Sequence, residues 1–287
     1  MPELKENLND FQIYKVICIL SLLLTAILYV NTADAKLDEA TIAGMWTFEE
    51  GKGEEVKDLS GNESDGVFVG ALKWAKGKFG GGLEFDGADT WVQIGTKGDA
   101  DSLAALDFKE SEGFSIHAWV YSEVEPVGKC VIWKGLGCST WSQYLLGTGA
   151  HENGDGNVNK ASFHIRAGNG GARQEVLGDA LPAQEWVHLV GVWDGKQAHI
   201  YVNGKLQNSA DVAGPPWASP EAVYIGADPG CNKRCQWNGI MDEVVVFNVA
   251  LSENEVKSLG SGIEGALDVD AAGKTTTTWG ALKRQRN

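Results

Sequence analysis

The chain has 287 residues, with 24 Lys and Arg against 39 Asp and Glu and a formal net charge of −15. So acidic a surface repels phosphate backbones, which sets aside a nucleic-acid binder, while the same surplus could attract divalent cations. The body of the chain carries no long amphipathic helical period, so helical-bundle classes are set aside too.

Residues 1–35 read as a secretory signal peptide. VICILSLLLTAILYV (16–30) is uncharged and apolar, and NTADA follows it with Ala33 and Ala35 in the A-x-A cleavage pattern, placing the cut after Ala35. The run is shorter than the ~20 residues of a membrane span. An uncleaved N-terminal anchor is the alternative, because MPELKENLNDFQIYK before it is long and not clearly basic. Either way the remainder is expected outside the cytoplasm, secreted or at the cell surface. About 250 residues remain, enough for one large all-β domain. Residues 1–35 contribute −2 to the charge of −15, leaving −13.

The body alternates short apolar runs with Gly, Asn and Asp, as sandwiches and barrels do. FSIHAWVY (114–121), ASFHIRA (161–167), WVHLVGVW (186–193) and QAHIYV (197–202) are the clearest strands. Asp194-Gly195 and Asn203-Gly204 are two-residue hairpin turns flanking QAHIYV, so this region predicts a three-stranded antiparallel meander. LSENEVKSL (251–259) predicts one helix. Ser252 and Glu255 are spaced as a capping box, Leu251 and Val256 as a hydrophobic staple, and Gly260 as the stop. Residues 260–287, small, polar and basic at the end, read as a tail with a short docked segment around Trp279.

With Cys18 in the leader, Cys130, Cys138, Cys231 and Cys235 remain, an even number that suggests two disulfides in an exported chain. Three connectivities are open. The local pairs Cys130–Cys138 and Cys231–Cys235 are favoured, because each flanks a short loop. The spacings do not match zinc patterns.

The last apolar run, GIMDEVVVFNVALS (239–252), contains two adjacent acids. In a regular strand Asp242 shares a face with Ile240, Val244 and Val246, and Glu243 shares the other with Met241, Val245 and Phe247. An ionised carboxylate in such company must be paired, hydrogen-bonded, metal-bound or outside the core.

The spaced blocks resemble one family, the laminin-G-like jellyroll domain of the concanavalin A-like lectin/glucanase group. GMWTFEEGKGEEVKDLSGNESDGVFVG (44–70) is similar to its W-x-F-D-E-G opening and D-x-S-G-N turn. WAKGKFGGGLEFDGADTWVQI (74–94) is similar to its G-K-F-G…F-D-G-x-D-D-Y-V block. EWVHLVGVWDGKQAHIYVNGKL (185–206) resembles its W-H-H-V…Y-D-G…L-Y-V-N-G meander, and WNGIMDEVVVFNVALSENEV resembles its close. The order is kept over about residues 40–259, although Thr90 replaces a second acid and 135–161 is more elaborate. The resemblance implies an all-β, two-sheet antiparallel β-sandwich, the concanavalin A-like jellyroll, over residues 36–259, with one short C-terminal helix and adjacent terminal strands. It also implies a structural calcium ion where early loops meet the last strand. Asp58, Asn62 and Asp242 are the candidate ligands, with Asp86 as a fourth. The competing reading has Asp58 and Asn62 forming Asx turns and Asp242 accepting backbone hydrogen bonds.

Catalytic patterns are missing. HENGDGNVNK fails as an EF-hand because Lys160 and Arg166 stand where glycine and glutamate are required. The E-x-D-x-x-E string of the glucanase branch does not occur in the mature chain. Asp242 and Glu243, pointing to opposite faces, could not flank one bond. No histidine sits in H-E-x-x-H, and G-x-S-x-G is lacking. What remains is recognition. Trp46, Trp74, Trp119 and Trp186 fall on positions of the family framework and read as core, and Trp193, just before a hairpin turn, reads as structural too. Trp133, Trp141, Trp217 and Trp237 lie in or beside cysteine-bearing loops, where exposed rings could stack on sugars, with Arg166 supplying a polar contact. The expectation is an exported non-catalytic module binding carbohydrate or extracellular-matrix-like ligands. A divergent glycoside hydrolase or lyase, or a protein-binding adhesion domain, is the alternative.

Overall fold

The computed structural model describes residues 36–109, 111–135, 143–149, 159–167, 173–212, 214–230 and 235–267. The proposed leader, Cys138, Trp141, the polar loop 151–158, Cys231 and the part of the expected tail from residue 268 on, with Trp279, lie outside the described residues.

Two eight-stranded antiparallel sheets form a sandwich. The first runs β14 (Lys205–Asp211), β13 (Gln197–Val202), β12 (Trp186–Trp193), β7 (Phe114–Ser122), β16 (Asn238–Phe247), β5 (Gly81–Asp86) and β4 (Lys73–Lys76), and β1 (Ile42–Trp46) also pairs with β16. The second runs β11 (Arg173–Ala180), β10 (Lys160–Arg166), β9 (Tyr144–Thr148), β8 (Cys130–Lys134), β15 (Val223–Ile225), β6 (Trp91–Ile94), β3 (Gly66–Val69) and β2 (Glu55–Val56). The strands expected at 186–193 and 197–202 form over those residues, and the Asp194-Gly195 and Asn203-Gly204 turns close the meander β12–β13–β14. Asn203 and Gly204 both take positive φ (51° and 73°), the backbone such a two-residue turn requires.

The core lies between the sheets. Phe114, Ile116, Ala118 and Val120 of β7 meet Phe163 and Ile165 of β10 and Ile132 of β8 there. Phe108 stacks on Phe114 with ring centroids 4.5 Å apart, and Phe163 packs edge-on to Phe114. Gly191 lets the sheets close, because a Cβ there would come within 2.4 Å of the Phe163 ring. A side chain as large as Phe buried in this way contributes roughly 1.5–3 kcal/mol.

The outer face of the first sheet is also covered in part. Val190, Val192, Tyr201, Val245 and Phe247 join Leu251, Val256, Leu259, Ile263 and Ala266 in a second apolar cluster. The helix Glu253–Ser258 seats this cover. Its Ser252–Glu255 capping box forms in both directions, and Leu251 and Val256 are buried together. The chain does not stop at Gly260. It passes through a 3₁₀ turn, Leu259–Ser261, and turns at Gly262, which has φ 93°, before docking a helical turn at Ile263–Ala266. The folded body therefore reaches Leu267, which bridges to Leu37, so its two ends meet as expected. The pairing of β1 with β16, Ile42 opposite Phe247 and Trp46 opposite Val244, places them side by side.

Candidate functional site

β16 changes neighbours halfway along one edge. Asn238–Met241 pair with β5, whereas Val244–Phe247 pair with β1. Asp242 and Glu243 fall in the gap. On the opposite edge Asp242 stands across from Trp119 and Val245 across from His117, so Glu243 and Val244 together oppose one residue of β7. This is a β-bulge, and Glu243 holds the left-handed backbone it needs, at φ 46°.

The bulge overturns the expectation for the two acids. Met241, Val244 and Val246 enter the core, and Asp242, Glu243, Val245 and Phe247 face outward. The extra residue resets the alternation, so both carboxylates lie on one face. They are nevertheless sealed, Asp242 fully and Glu243 all but 5%. Asp242 Oδ2 accepts the Phe79 N–H at 2.8 Å. Glu243 accepts the Ile263 N–H on both oxygens, at 3.1 and 3.0 Å. Burial pushes the Asp242 carboxyl up to about 7 against the lowering effect of the Phe79 N–H, with the nearby Glu243 and Glu49 charges adding to the rise. Burial likewise pushes Glu243 up to about 8, opposed by the Ile263 N–H.

Beside them lies a histidine pair. His117 Nδ1 and His188 Nε2 are 2.9 Å apart, so one ring donates and the other accepts. Burial holds His117 down to about 3 and His188 well below the usual imidazole range, with His117 adding to the effect on His188. Both rings are neutral at physiological pH. His117 Nε2 lies 3.8 Å from Glu243 Oε2, a contact between two neutral groups rather than an ion pair. The pair was not foreseen, yet its signal was present: His117 and His188 each alternate with core residues in their strands, and β7 pairs with β12. His188 stacks on Trp119 at 5.2 Å, Phe79 packs edge-on to Trp119, and Lys78 Nζ lies 4.7 Å above the same ring. Trp119 and Trp186 thus depart from a simple core role, whereas half-buried Trp74 packs against the core as expected. Trp119 faces outward beneath Lys78 and Phe79, and Trp186 is half-buried.

One step further along the strands this outer face opens. Trp186 lies opposite Tyr121, Tyr121 opposite Ile240, Ile240 opposite Glu84, and Glu84 opposite Lys73. This row crosses five strands, about 19 Å at the usual strand spacing. Trp186, Tyr121 and Ile240 are half-buried, and Glu84 and Lys73 are exposed. The Trp186 and Tyr121 rings are 5.7 Å apart and tilted by 52°. The row is an apolar shelf with a charged end.

The residues expected to hold calcium are not brought together. Asp58 Oδ1 accepts the N–H groups of Met45 and Ser60, and Oδ2 accepts the Ser60 hydroxyl and the Ser64 N–H. Asn62 turns its amide donors toward the Ile42 and Ala43 carbonyls. Asp86 caps its own turn, accepting from Ala88, Asp89 and Thr90. Asp242 gives Oδ2 to the Phe79 N–H, and its Oδ1 is buried. Among the described residues no group of three or more His, Cys, Asp or Glu is placed to hold a metal ion. Donors aimed inward and carboxylates already accepting do not fit the shared oxygen cage that calcium requires.

The expected aromatic platform is displaced as well. Trp133 is buried, edge-on to His164, and Trp237 is fully buried with its indole N–H on the Tyr121 carbonyl, so neither offers a ring to a ligand. Trp217 is half-buried and its backbone N–H donates to the Arg166 carbonyl, so these two remain neighbours near the surface. Of the four cysteines of the body, the two described ones, Cys130 and Cys235, are reduced, buried thiols, and the Cys130 thiol is hydrogen-bonded to Cys235 rather than joined to a local partner.

The Laminin_G_3 family profile, described as the concanavalin A-like lectin/glucanases superfamily, matches residues 86–257, more than half the chain. The chain belongs to this family. This Laminin_G_3 chain resembles domain 4 of AbnA, an extracellular GH43 arabinanase from Geobacillus stearothermophilus solved with arabinotriose. The TM-score is 0.58 at 17% identity, covering 78% of this chain and all of that one. It also resembles the binding domain of Paraclostridial Mosquitocidal Protein 1, with TM-score 0.58, 14% identity, 77% of this chain and 52% of that one. The binding domain of botulinum neurotoxin DC in complex with SialylT is similar at TM-score 0.56 and 14% identity, over 78% of this chain and 52% of that one. The chain thus spans about half the length of the toxin domains. At these identities the likeness is one of fold. No curated protein matches the sequence.

Proposed function

We propose that the domain is an exported, non-catalytic recognition module that binds carbohydrate on the outer face of the first sheet, across Trp186, Tyr121 and Ile240. The observation that carries this reading is the half-exposed row ending in Glu84 and Lys73. Aromatic rings offer apolar area to the C–H faces of a sugar at small entropy cost, and charged groups at the rim orient its hydroxyls. Sugar-bound relatives of the same fold, with arabinotriose or SialylT, support the reading without naming this chain's ligand.

Catalysis by the acid pair is disfavoured for a new reason. Asp242 and Glu243 do share a face, but Gly77–Phe79 and Gly262–Ile263 lie against them, and a glycoside hydrolase needs both carboxyls open to the scissile bond. The mode of recognition is independent of calcium. A glycan array with the domain, run with and without chelator, tests this. Binding is expected to survive chelation and to be lost in Trp186→Ala and Tyr121→Ala. A flat array, or binding unchanged in both variants, would overturn the assignment.

A further inference from the structure

We propose that Cys130 and Cys235 form a long-range disulfide that clamps the approach to β16 onto the start of β8. The Cys130 N–H donates to the Cys235 carbonyl at 2.8 Å, so the two backbones run side by side. The contact continues along the chain, with Gly226 donating to Val131 at 2.9 Å and Trp237 donating to Gly226 at 2.8 Å. The side chains converge as well: the Cys130 thiol is hydrogen-bonded to Cys235, and both are buried in one apolar cluster with Trp133, Leu145, Ala222 and Tyr224.

Other uses of this pair fit poorly. Burial pushes the Cys130 thiol well above its usual range, with Cys235 and Asp228 adding to the shift, so the thiolate required of a nucleophile or metal ligand is suppressed in the closed fold. Oxidation therefore occurs while β8 is still accessible. One cysteine thiolate attacks a disulfide-bearing exchange partner, forming a mixed disulfide and expelling one thiol. The second cysteine thiolate attacks the mixed disulfide and expels the other. Two electrons and two protons pass from the cysteine pair to the partner, which leaves as two thiols. Once the domain closes, the same burial shields the bond from reduction.

Trypsin makes the test decisive. Cleavage at Lys and Arg separates the four cysteines of the body into peptides 130–134, 135–160, 206–233 and 235–257. The full chain, folded in the presence of a small-molecule disulfide and blocked with iodoacetamide without reduction, is digested and mapped by mass spectrometry. Peptide 130–134 is expected joined to 235–257, and reduction should release them. Peptide 130–134 joined to 135–160 or to 206–233, or recovered alkylated, would overturn the proposal. As a second readout, Cys130→Ser and Cys235→Ser should each lower the melting temperature by roughly 10 °C, and the double variant should lower it no further. Additive losses would also overturn it.

Discussion

Glu243 holds the backbone N–H of Ile263 between its two carboxylate oxygens, which ties the bulge in β16 to the docked C-terminal turn. The carboxyl is buried and its pKa is raised to about 8, so the tie is made by a group that is largely protonated at neutral pH. Breaking it leaves a buried amide without its acceptor, at a cost of about 1–3 kcal/mol. Glu243→Ala is therefore expected to lower the stability of the whole domain and to expose the cluster formed by Ile263, Ala266 and Leu267. Chemical denaturation together with amide exchange over residues 259–267 would measure both effects.

The same cluster sets a pH dependence. A carboxyl whose folded pKa exceeds its unfolded value binds its proton more tightly in the native state. Its stabilisation is complete below the unfolded value and is lost as pH rises through the folded one. For Asp242 that window runs from 3.8 to about 7, and for Glu243 from 4.5 to about 8. His117, lowered from 6.5 to about 3, acts in the opposite sense: the stability lost when it must stay neutral is recovered as pH rises to 6.5. The opposing trends overlap below pH 6.5, and above it the carboxyls act alone. Stability is expected to fall by on the order of 2 kcal/mol between pH 6.5 and 8. Glu243→Gln, which keeps an acceptor for Ile263 but cannot ionise, should flatten most of that slope. A slope unchanged in this variant would place the titration elsewhere.

Asp58 tests the loop assignment. Its two oxygens receive four donors, among them the N–H groups of Met45 and Ser64, so Asp58→Ala should cost about 1–3 kcal/mol for each buried donor left without a partner. Because those oxygens are already engaged, millimolar calcium or a chelator should leave the melting temperature of the unmodified chain unchanged. A calcium-dependent rise that disappears in Asp58→Ala would restore the ion.

Local chemistry made the meander legible. Asp194-Gly195 and Asn203-Gly204 demand turns whatever surrounds them, and Ser252 with Glu255 caps a helix by itself. The bulge was not legible, because it arises where β16 exchanges β5 for β1, a long-range event, and Glu243 takes its positive φ without the glycine that usually advertises one. Trp237 misled for a related reason. Its neighbourhood of Cys, Asn and Arg reads as a surface loop, yet the residue begins the return of the chain into the sandwich and fills the core. An oxygen-rich loop such as 58–65 looks the same in sequence whether its carboxylates meet a cation or its own N–H groups. The four donors on Asp58 and the direction of the Asn62 amide tell them apart.

Gly191 of β12 faces the Phe163 ring of β10 across the sandwich with no room for a side chain. A methyl group there would need the Phe163 ring to move from 2.4 Å, and that ring is itself wedged against Phe114. Gly191→Ala is expected to destabilise by about 1–3 kcal/mol through overpacking. Combining it with Phe163→Leu should recover part of the loss, a coupling that a double-mutant cycle reads directly.

The last contrast separates a structural tryptophan from a binding one. Trp237 is enclosed on all sides, and its indole N–H is satisfied by the Tyr121 carbonyl at 3.2 Å. Trp237→Ala removes both packing and that bond, so a loss of about 3–5 kcal/mol is expected, and any ligand would be lost only because the domain unfolds. Trp186 sits half-buried at the start of β12, in contact with Tyr121. Trp186→Ala should cost about 1 kcal/mol or less in stability while removing the largest ring of the shelf. Denaturation and sugar binding measured on both variants give opposite patterns if the shelf is the site. Retained binding in a well-folded Trp186→Ala domain would move the site off this face of the sheet.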